Sequence, residues 1–238
     1  MSTASHITSP NQLLAALPSR ERERILADCT LVQLVLGSVL YEQGKPIRYV
    51  YFPTESFISL LTSVDRHSTL EVGMIGSEGM SGFTLMLGDR HAPFRAITQG
   101  AGAAWRMAAP AFLRHLKKTP SLRALLDRYV YVLLRQLAQT AACTRFHLIE
   151  KRLARWLLMT QDRAHANTFE MTQEFLAHML GVRRVGVTAA AGALQSRKLI
   201  RYARGKITIL SRPRLDAAAC VCYRADLNTY AQGMSARL

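Results

Sequence analysis

The sequence is short of several things, and each shortage removes a class of protein. Its four cysteines in 238 residues are Cys29, Cys143, Cys220 and Cys222. They are scattered and form no Cys-x-x-Cys pair, so neither a disulfide scaffold nor a zinc knuckle is expected; they read as reduced thiols with no metal site assigned, the Cys220-Val-Cys222 pair leaving a redox or metal role as the alternative. Long apolar runs are missing too. Ile58-Ser-Leu-Leu61 and Val130-Tyr-Val-Leu-Leu134 fall far short of the roughly 20 residues that span a bilayer, so no membrane segment is expected. The stretch Met1 to Pro10 has no charged n-region and no apolar h-region, which predicts a cytoplasmic protein without a secretory signal. There is no Gly-rich phosphate loop, no nucleophile elbow, no zinc-ligand run and no carboxylate pair at useful spacing, so an enzyme is not expected.

Acidic residues are scarce as well: 16 Asp and Glu face 31 Lys and Arg, leaving a formal charge of +15. A chain this basic, with a pI near 10.3, is suited to an anionic partner, nucleic acid first. The excess is not spread evenly. Residues 1–105 hold 8 basic and 9 acidic side chains, whereas 106–215 hold 21 and 5. A near-neutral module joined to one that meets a polyanion accounts for this asymmetry, with a merely solvated basic surface as the plainer reading. Hydrophobic residues at 49% and charged ones at 20% are ordinary for a globular protein of one large or two modest domains.

Along the chain, Ser9–Leu17 and Pro18–Ala27 read as two short helices, the second capped by Ser19. From Leu31 to about Met107 the texture changes to short segments rich in Val, Ile, Tyr, Phe and Thr, such as Arg48-Tyr-Val-Tyr-Phe52 and Ser56-Phe-Ile-Ser-Leu-Leu-Thr62. These are broken by Gly and Pro and predict an antiparallel β-roll. A short helix over Ala111–Leu116 follows. A Gly- and Pro-free stretch from Ser121 to about Thr144 then predicts a long helix. Its Leu126, Val130, Leu133 and Leu137 recur at 4-3-4 spacing, and the neighbouring faces are apolar as well, so it needs two partners; a second copy of the chain is the favoured one. His147–Met159 reads as a further amphipathic helix and Gln161–Asn167 as a polar linker, with the domain boundary near Thr144.

The segment Thr172–Gln195 has the arrangement of a helix-turn-helix. Thr172 can cap a first helix buried through Phe175, Leu176 and Met179. Gly181 permits a left-handed turn, Val182 packs in the corner, Ala177 is small where the helices approach, and Val187 and Leu194 form the buried stripe of a second helix starting at Arg183. Leu199–Leu210 then reads as a basic hairpin turning at Gly205, and the sum is a winged helix. The second helix would enter the major groove, with Arg183 and Arg184 toward phosphates or guanine edges and Thr188 beside them. Thr172 and Gln173 complete that side, and Arg201, Arg204 and Lys206 of the hairpin would meet phosphates.

This order of β-roll, long apolar helix and winged helix resembles the CRP/FNR family of bacterial transcription regulators over nearly the whole chain, from about Pro18 to Leu210. It is most specific in Thr172–Thr188 and Leu199–Ile209, with Gly37–Gly44 and Val50–Ile58 similar to the family's opening strands. The resemblance implies an α+β protein: an N-terminal β-roll of the double-stranded β-helix type with its leading helices (1–110), a dimerisation helix (111–145), and a winged helix-turn-helix with a C-terminal extension (146–238). It implies a homodimer on a two-fold-symmetric double-stranded DNA operator, contact with RNA polymerase, and a signal received by the β-roll.

There are departures from the family pattern. Where family members often present Arg, Glu and a later Arg to the bases, this chain has Arg184, Val185 and Ala189, so a different operator is expected. Ala92-Pro93 stand opposite the Arg-Ser pair that anchors a cyclic phosphate, and without that guanidinium cyclic AMP is not expected. The cysteines do not fit an iron-sulfur member, only Cys29 lying near the N-terminus. Effector-pocket candidates are Glu71, Glu78, Ser81, Arg90 and Arg95. No cofactor is predicted, with haem ligation by His67 or His91 left open. The competing class is a ligand-sensing module that acts through protein contacts and binds nucleic acid only non-specifically.

Overall fold

A computed structural model describes residues 11–63, 65 and 68–235. The chain divides into two compact units, 1–60 with 74–131 and 236–238, and 61–73 with 132–235. The division at 131/132 falls inside a continuous helix, not at its end near residue 145, because a helix shows no break in periodicity where its neighbours change.

In the first unit the N-terminal segments α1 (Gln12–Ala15) and α2 (Ser19–Ala27) precede the strands. Asn11 caps α1, its Oδ1 accepting from Leu14 N at 3.1 Å, while its Nδ2 donates to Pro53 O and Gly79 O at 2.9 and 2.8 Å. Pro18, not Ser19, stands at the cap of α2; a proline there pre-sets the helical approach, and Ser19 becomes the first helical residue. Ser9 and Pro10 lie outside the described residues.

The roll consists of β1 (Thr30–Leu34), β2 (Val39–Tyr41), β3 (Tyr49–Pro53), β4 (Phe57–Ser63), β5 (Thr69–Ile75), β6 (Arg95–Gly100) and β7 (Gly102–Ala108). They form two sheets, β1-β7-β3 and β2-β6-β4-β5. Strand β7 pairs antiparallel with both neighbours, Thr30 facing Arg106 on one side and Tyr49 facing Ala108 on the other. Phe57–Leu61 of β4 are all buried. A strand between two neighbours and covered on both faces reads as a continuous apolar run, not an alternating one. Phe52, Ile58, Ile75, Met80 and Met107 fill the interior, each at most 1% exposed.

After the roll come α3 (Ala109–Lys118) and the long α4 (Pro120–Phe146). Tyr129 fixes the first half of α4. Its hydroxyl accepts from Met80 N at 3.1 Å and donates to Met80 O at 3.2 Å. A Cβ on Gly79 would stand 2.2 Å from that hydroxyl, so glycine is required there by the approach of the ring. The dimerisation stripe read from spacing is only partly available. Leu126 is 0% and Leu133 5% exposed in the isolated chain, and Val130 and Leu137 are half-buried. The surface left open on α4 is instead Tyr131 and Leu134, 54% and 61% exposed, continued by exposed Ala138 and Ala141. Periodicity identifies apolar faces, but which of two faces the chain itself covers is a tertiary matter.

The second unit contains α5 (Ile149–Ala164), β8 (Thr168–Glu170), α6 (Gln173–Leu180), α7 (Arg184–Ser196), β9 (Ile200–Ala203), β10 (Lys206–Ile209), α8 (Arg212–Ala218) and α9 (Cys222–Ser235). Helix α5 continues through Gln161–Ala164, which had read as linker. Polar side chains there hold partners: Gln161 Nε2 donates to Asn167 Oδ1 at 2.6 Å, and Asp162 accepts from Tyr223 and Arg212. Leu153, Leu157 and Leu158 are fully buried, each contributing about 1.5–3 kcal/mol. Arg155 and Asp226, both buried, join α5 to α9 at 2.6 Å. Among the described residues no helix is long and apolar enough to cross a membrane.

Candidate nucleic-acid interface

The helix-turn-helix is built as its residue types dictate. Thr172 Oγ1 accepts from Phe175 N at 3.1 Å, satisfying one of the free N–H groups that open α6. At the other end Gly181 takes φ +60°, and Val182 N donates to Ala177 O at 3.0 Å, the bond pattern of a helix ended by a left-handed residue. Arg152 of α5, itself buried, donates to Leu180 O and so satisfies another terminal carbonyl. Arg183 then sits at the N-cap of α7. Leu176, Val187 and Leu194 are fully buried between the helices. A close approach that spacing did not single out is at Gly186, where a Cβ would stand 2.8 Å from Ile149 Cδ1; glycine lets α7 settle on α5.

The wing is a three-stranded sheet in the order β8-β10-β9, one strand more than the hairpin expected from sequence. The extra strand is three residues long, too short for period-2 alternation to register. Ala203 pairs with Lys206, so the turn is Arg204-Gly205, at φ +50° and +74°. Two successive left-handed residues form the tight turn that matches strand twist. The wing is moored to the start of α6: Tyr202 Oη donates to Met171 O at 2.9 Å and Met171 N donates to Gly205 O at 2.6 Å.

These elements bring four of the sequence-singled residues together. Thr172, Gln173, Arg184 and Arg204 line one open cleft of about 380 Å³, together with Glu174 and Tyr202. Arg183 and Val185 are exposed on the first turn of α7, Val185 at 72%. Thr188 Oγ1 lies 2.8 Å from Gln173 Oε1 and 3.1 Å from Arg184 O, so its proton stays within the protein and it orients Gln173. Arg201 and Lys206 are exposed on the wing strands outside the cleft. Burial raises the Tyr202 phenol above its ordinary range, against the opposing field of Arg184. The lining thus offers two guanidinium groups, amide and hydroxyl donors, and one carboxylate, Glu174.

The five effector-pocket candidates do not converge. Glu71, in the second unit, is buried and accepts from Trp156 Nε1 at 2.9 Å. In the first unit Glu78 accepts from Gly76 N at 3.1 Å, and Ser81 exchanges backbone hydrogen bonds with Tyr51. Arg90 is exposed, and Arg95 pairs with Glu42 at 3.2 Å on the surface. Ser81 also lines a recess of about 10 Å³ with Tyr41, Ile47, Phe83, Ala92 and Pro93. This is smaller than the ~300–1,000 Å³ usual for a ligand pocket. His91 is exposed with Nδ1 3.5 Å from Asp89; His67 lies outside the described residues.

The cysteines are less scattered in space than in sequence. Cys143, Cys220 and Cys222 are buried together with His147 beside them. The Cys143 thiol is pulled down to about 4, chiefly by its hydrogen bond with Cys220, with burial opposing and His147 and Arg155 adding; Cys220 is pushed up by the same bond.

Comparison with known proteins places these observations. Residues 151–218 match the family described as Crp-like helix-turn-helix domain. No curated protein matches the sequence. Among solved structures, a CRP/FNR family regulator from Eubacterium rectale superposes with a TM-score of 0.70 at 16% identity, covering 87% of this chain and 96% of that one. The c-di-GMP responsive global regulator CLP of Xanthomonas campestris gives 0.67 at 16%, covering 82% and 100%. FixK2 of Bradyrhizobium japonicum gives 0.64 at 14%, covering 81% and 98%. The first two are described as regulators, and the fold of this chain is that of all three.

Proposed function

From a chain with the CRP/FNR fold, whose residues 151–218 match the Crp-like helix-turn-helix domain family, we propose a transcription regulator that binds its operator as a homodimer. The observation that carries this reading is the exposed pair Arg183 and Arg184 opening α7, with Arg184 sharing a cleft with Arg204 of the wing. A recognition helix reads base edges from its first turns, and the wing's cations hold phosphates. Val185 in place of an acidic residue supports an operator that differs from those of relatives with Glu there, because its branched apolar side chain suits a thymine methyl rather than a cytosine amine. Contact with RNA polymerase rests on the resemblance.

The dimer contact is the exposed stripe Tyr131, Leu134, Ala138 and Ala141, whose 3-4-3 spacing suits a two-fold helix pair. The signal is not cyclic AMP. Supporting this, Ala92 is 2% exposed and lines the small recess, which holds no guanidinium among its lining residues.

The test is equilibrium binding of the full-length protein to its own upstream DNA and to a shuffled duplex at near-physiological salt, with and without cyclic AMP. A preference of ~10³-fold or more, unmoved by cyclic AMP, is expected. The Arg184→Ala change should erode the preference by ~1–3 kcal/mol. Equal affinity for both duplexes would overturn the reading, and intact regulation by an Arg183→Ala/Arg184→Ala protein would favour a module that acts through protein contacts.

A further inference from the structure

Cys143 lies in the last turn of α4, and His147 is the first residue beyond that helix, its N–H donating to Cys143 O at 3.1 Å. Cys220 and Cys222 are not two residues of one helix. Cys220 belongs to the connector after α8, and Cys222 is the first residue of α9. Their shared direction follows from that break, with Val221 between them turned outward at 77% exposed.

The four ligand atoms, three sulfurs and one ring nitrogen, all lie within 4.8 Å of one another. Cys143 Sγ is 3.5 Å from Cys220 Sγ, and Cys222 Sγ is 3.4 Å from His147 Nδ1. Around a tetrahedral zinc, with Zn–S of ~2.3 Å and Zn–N of ~2.0–2.1 Å, sulfurs stand ~3.8 Å apart and sulfur stands ~3.5 Å from nitrogen. A disulfide would need ~2.05 Å, and the cysteines are free.

We propose that Cys143, His147, Cys220 and Cys222 form a tetrahedral Zn(II) site that fastens the end of the long helix α4 to the start of the C-terminal helix α9. Three thiolates and an imidazole select a borderline-soft ion over magnesium or calcium. Four protein ligands leave no open position, which makes the site structural and not catalytic. The compactness of the ligand set fits one ion, where a polynuclear cluster would spread its ligands further.

The surroundings are those of a metal-thiolate centre. Gln139 Nε2 lies 2.9 Å from Cys222 Sγ, an N–H to sulfur bond of the kind that orients a ligand. Zinc with three thiolates and a neutral histidine carries a net charge of −1. Buried Arg155, Arg152 and Asp226 lie around it, Arg155 bonding Asp226 Oδ2 at 2.6 Å and Thr140 Oγ1 at 3.2 Å. Two guanidinium groups, one carboxylate and the zinc centre sum to zero, which suits a buried cluster.

The experiment is metal analysis of the full-length protein purified under reductant without chelator, followed by replacement with Co(II). About one zinc per chain is expected, with intense tetrahedral ligand-field bands and thiolate-to-cobalt charge transfer. Cys220→Ser and Cys222→Ser should lose the metal, and Cys29→Ser should keep it. His147→Cys guards against simple misfolding: it should retain one ion and strengthen the charge-transfer band. The proposal is overturned if the reduced protein takes up neither ion stoichiometrically against a competing chelator. It is equally overturned if a Cys220→Ser/Cys222→Ser protein keeps its metal, or if mass spectrometry finds Cys143 and Cys220 joined as a disulfide in the freshly purified chain.

Discussion

Trp156 donates its indole N–H to the carboxylate of Glu71 at 2.9 Å, and both side chains are buried, at 5% and 7% exposed. An acidic residue in a strand otherwise reads as surface, and that reading weighs against Glu71 as an effector contact. Here its charge is held inside the second unit by a donor contributed by α5. Trp156→Phe keeps most of the ring and removes the N–H. A hydrogen bond to a charged group carries about 1.5–3 kcal/mol, so the unfolding free energy should fall by that much, read as a lower urea midpoint at unchanged slope. A midpoint within error of wild type would mean that the bond contributes nothing.

The buried pair Arg155 and Asp226 behaves differently when one side is removed than when both are. Asp226→Asn leaves a buried guanidinium without its counter-charge, at a cost of about 3–5 kcal/mol. Replacing both by apolar residues of similar volume removes the unpaired charge and should recover most of that loss. Equilibrium denaturation of the single and double variants measures the coupling, and additive losses would show the two residues to be independent.

On α4, the residue that faces a second subunit can be told from one that serves its own core. Leu134→Glu sets two carboxylates against each other across a two-fold axis. The protein should sediment as a monomer at concentrations where wild type is a dimer, with its circular dichroism unchanged and its operator preference lost. Leu126→Ala, at a position already 0% exposed, should cost about 2–5 kcal/mol of stability and leave the association state alone. The opposite assignment, Leu126 governing association, would return the dimer seam to the stripe first read from spacing.

Which face of α4 the chain itself covers shows what was legible and what was not. The helix-turn-helix was readable because its constraints are local: a threonine cap, a glycine with positive φ and a buried stripe all lie within about two dozen residues. Arg184, Gln173 and Arg204 could be placed together from that frame alone. The third wing strand was too short to register, and α9 had no boundary signal strong enough to separate it from a polar extension. The cysteine cluster was legible only as the pair Cys220 and Cys222, and its convergence with Cys143 and His147 was hidden for a different reason. Cys143 and Cys220 are 77 residues apart, and only the break between α8 and α9 turns Cys220 and Cys222 to the same side.

The wing and the recognition helix should separate in their salt dependence. Arg204 stands on the turn and Lys206 is the first residue of β10, positions proposed to meet phosphate and not base edges. Removing either should weaken binding to operator and shuffled duplex alike and lower the slope of log affinity against log salt by about one ion. Arg184→Ala should instead weaken operator binding more than shuffled binding, because a bidentate base contact carries sequence information that a phosphate contact does not. Fluorescence anisotropy titrations at four or more salt concentrations distinguish the two. If Arg204→Ala lowered the operator affinity alone and left the slope unchanged, the wing would be a base reader, and the division of labour between α7 and the hairpin would have to be redrawn with Arg204 beside Arg184 in the groove.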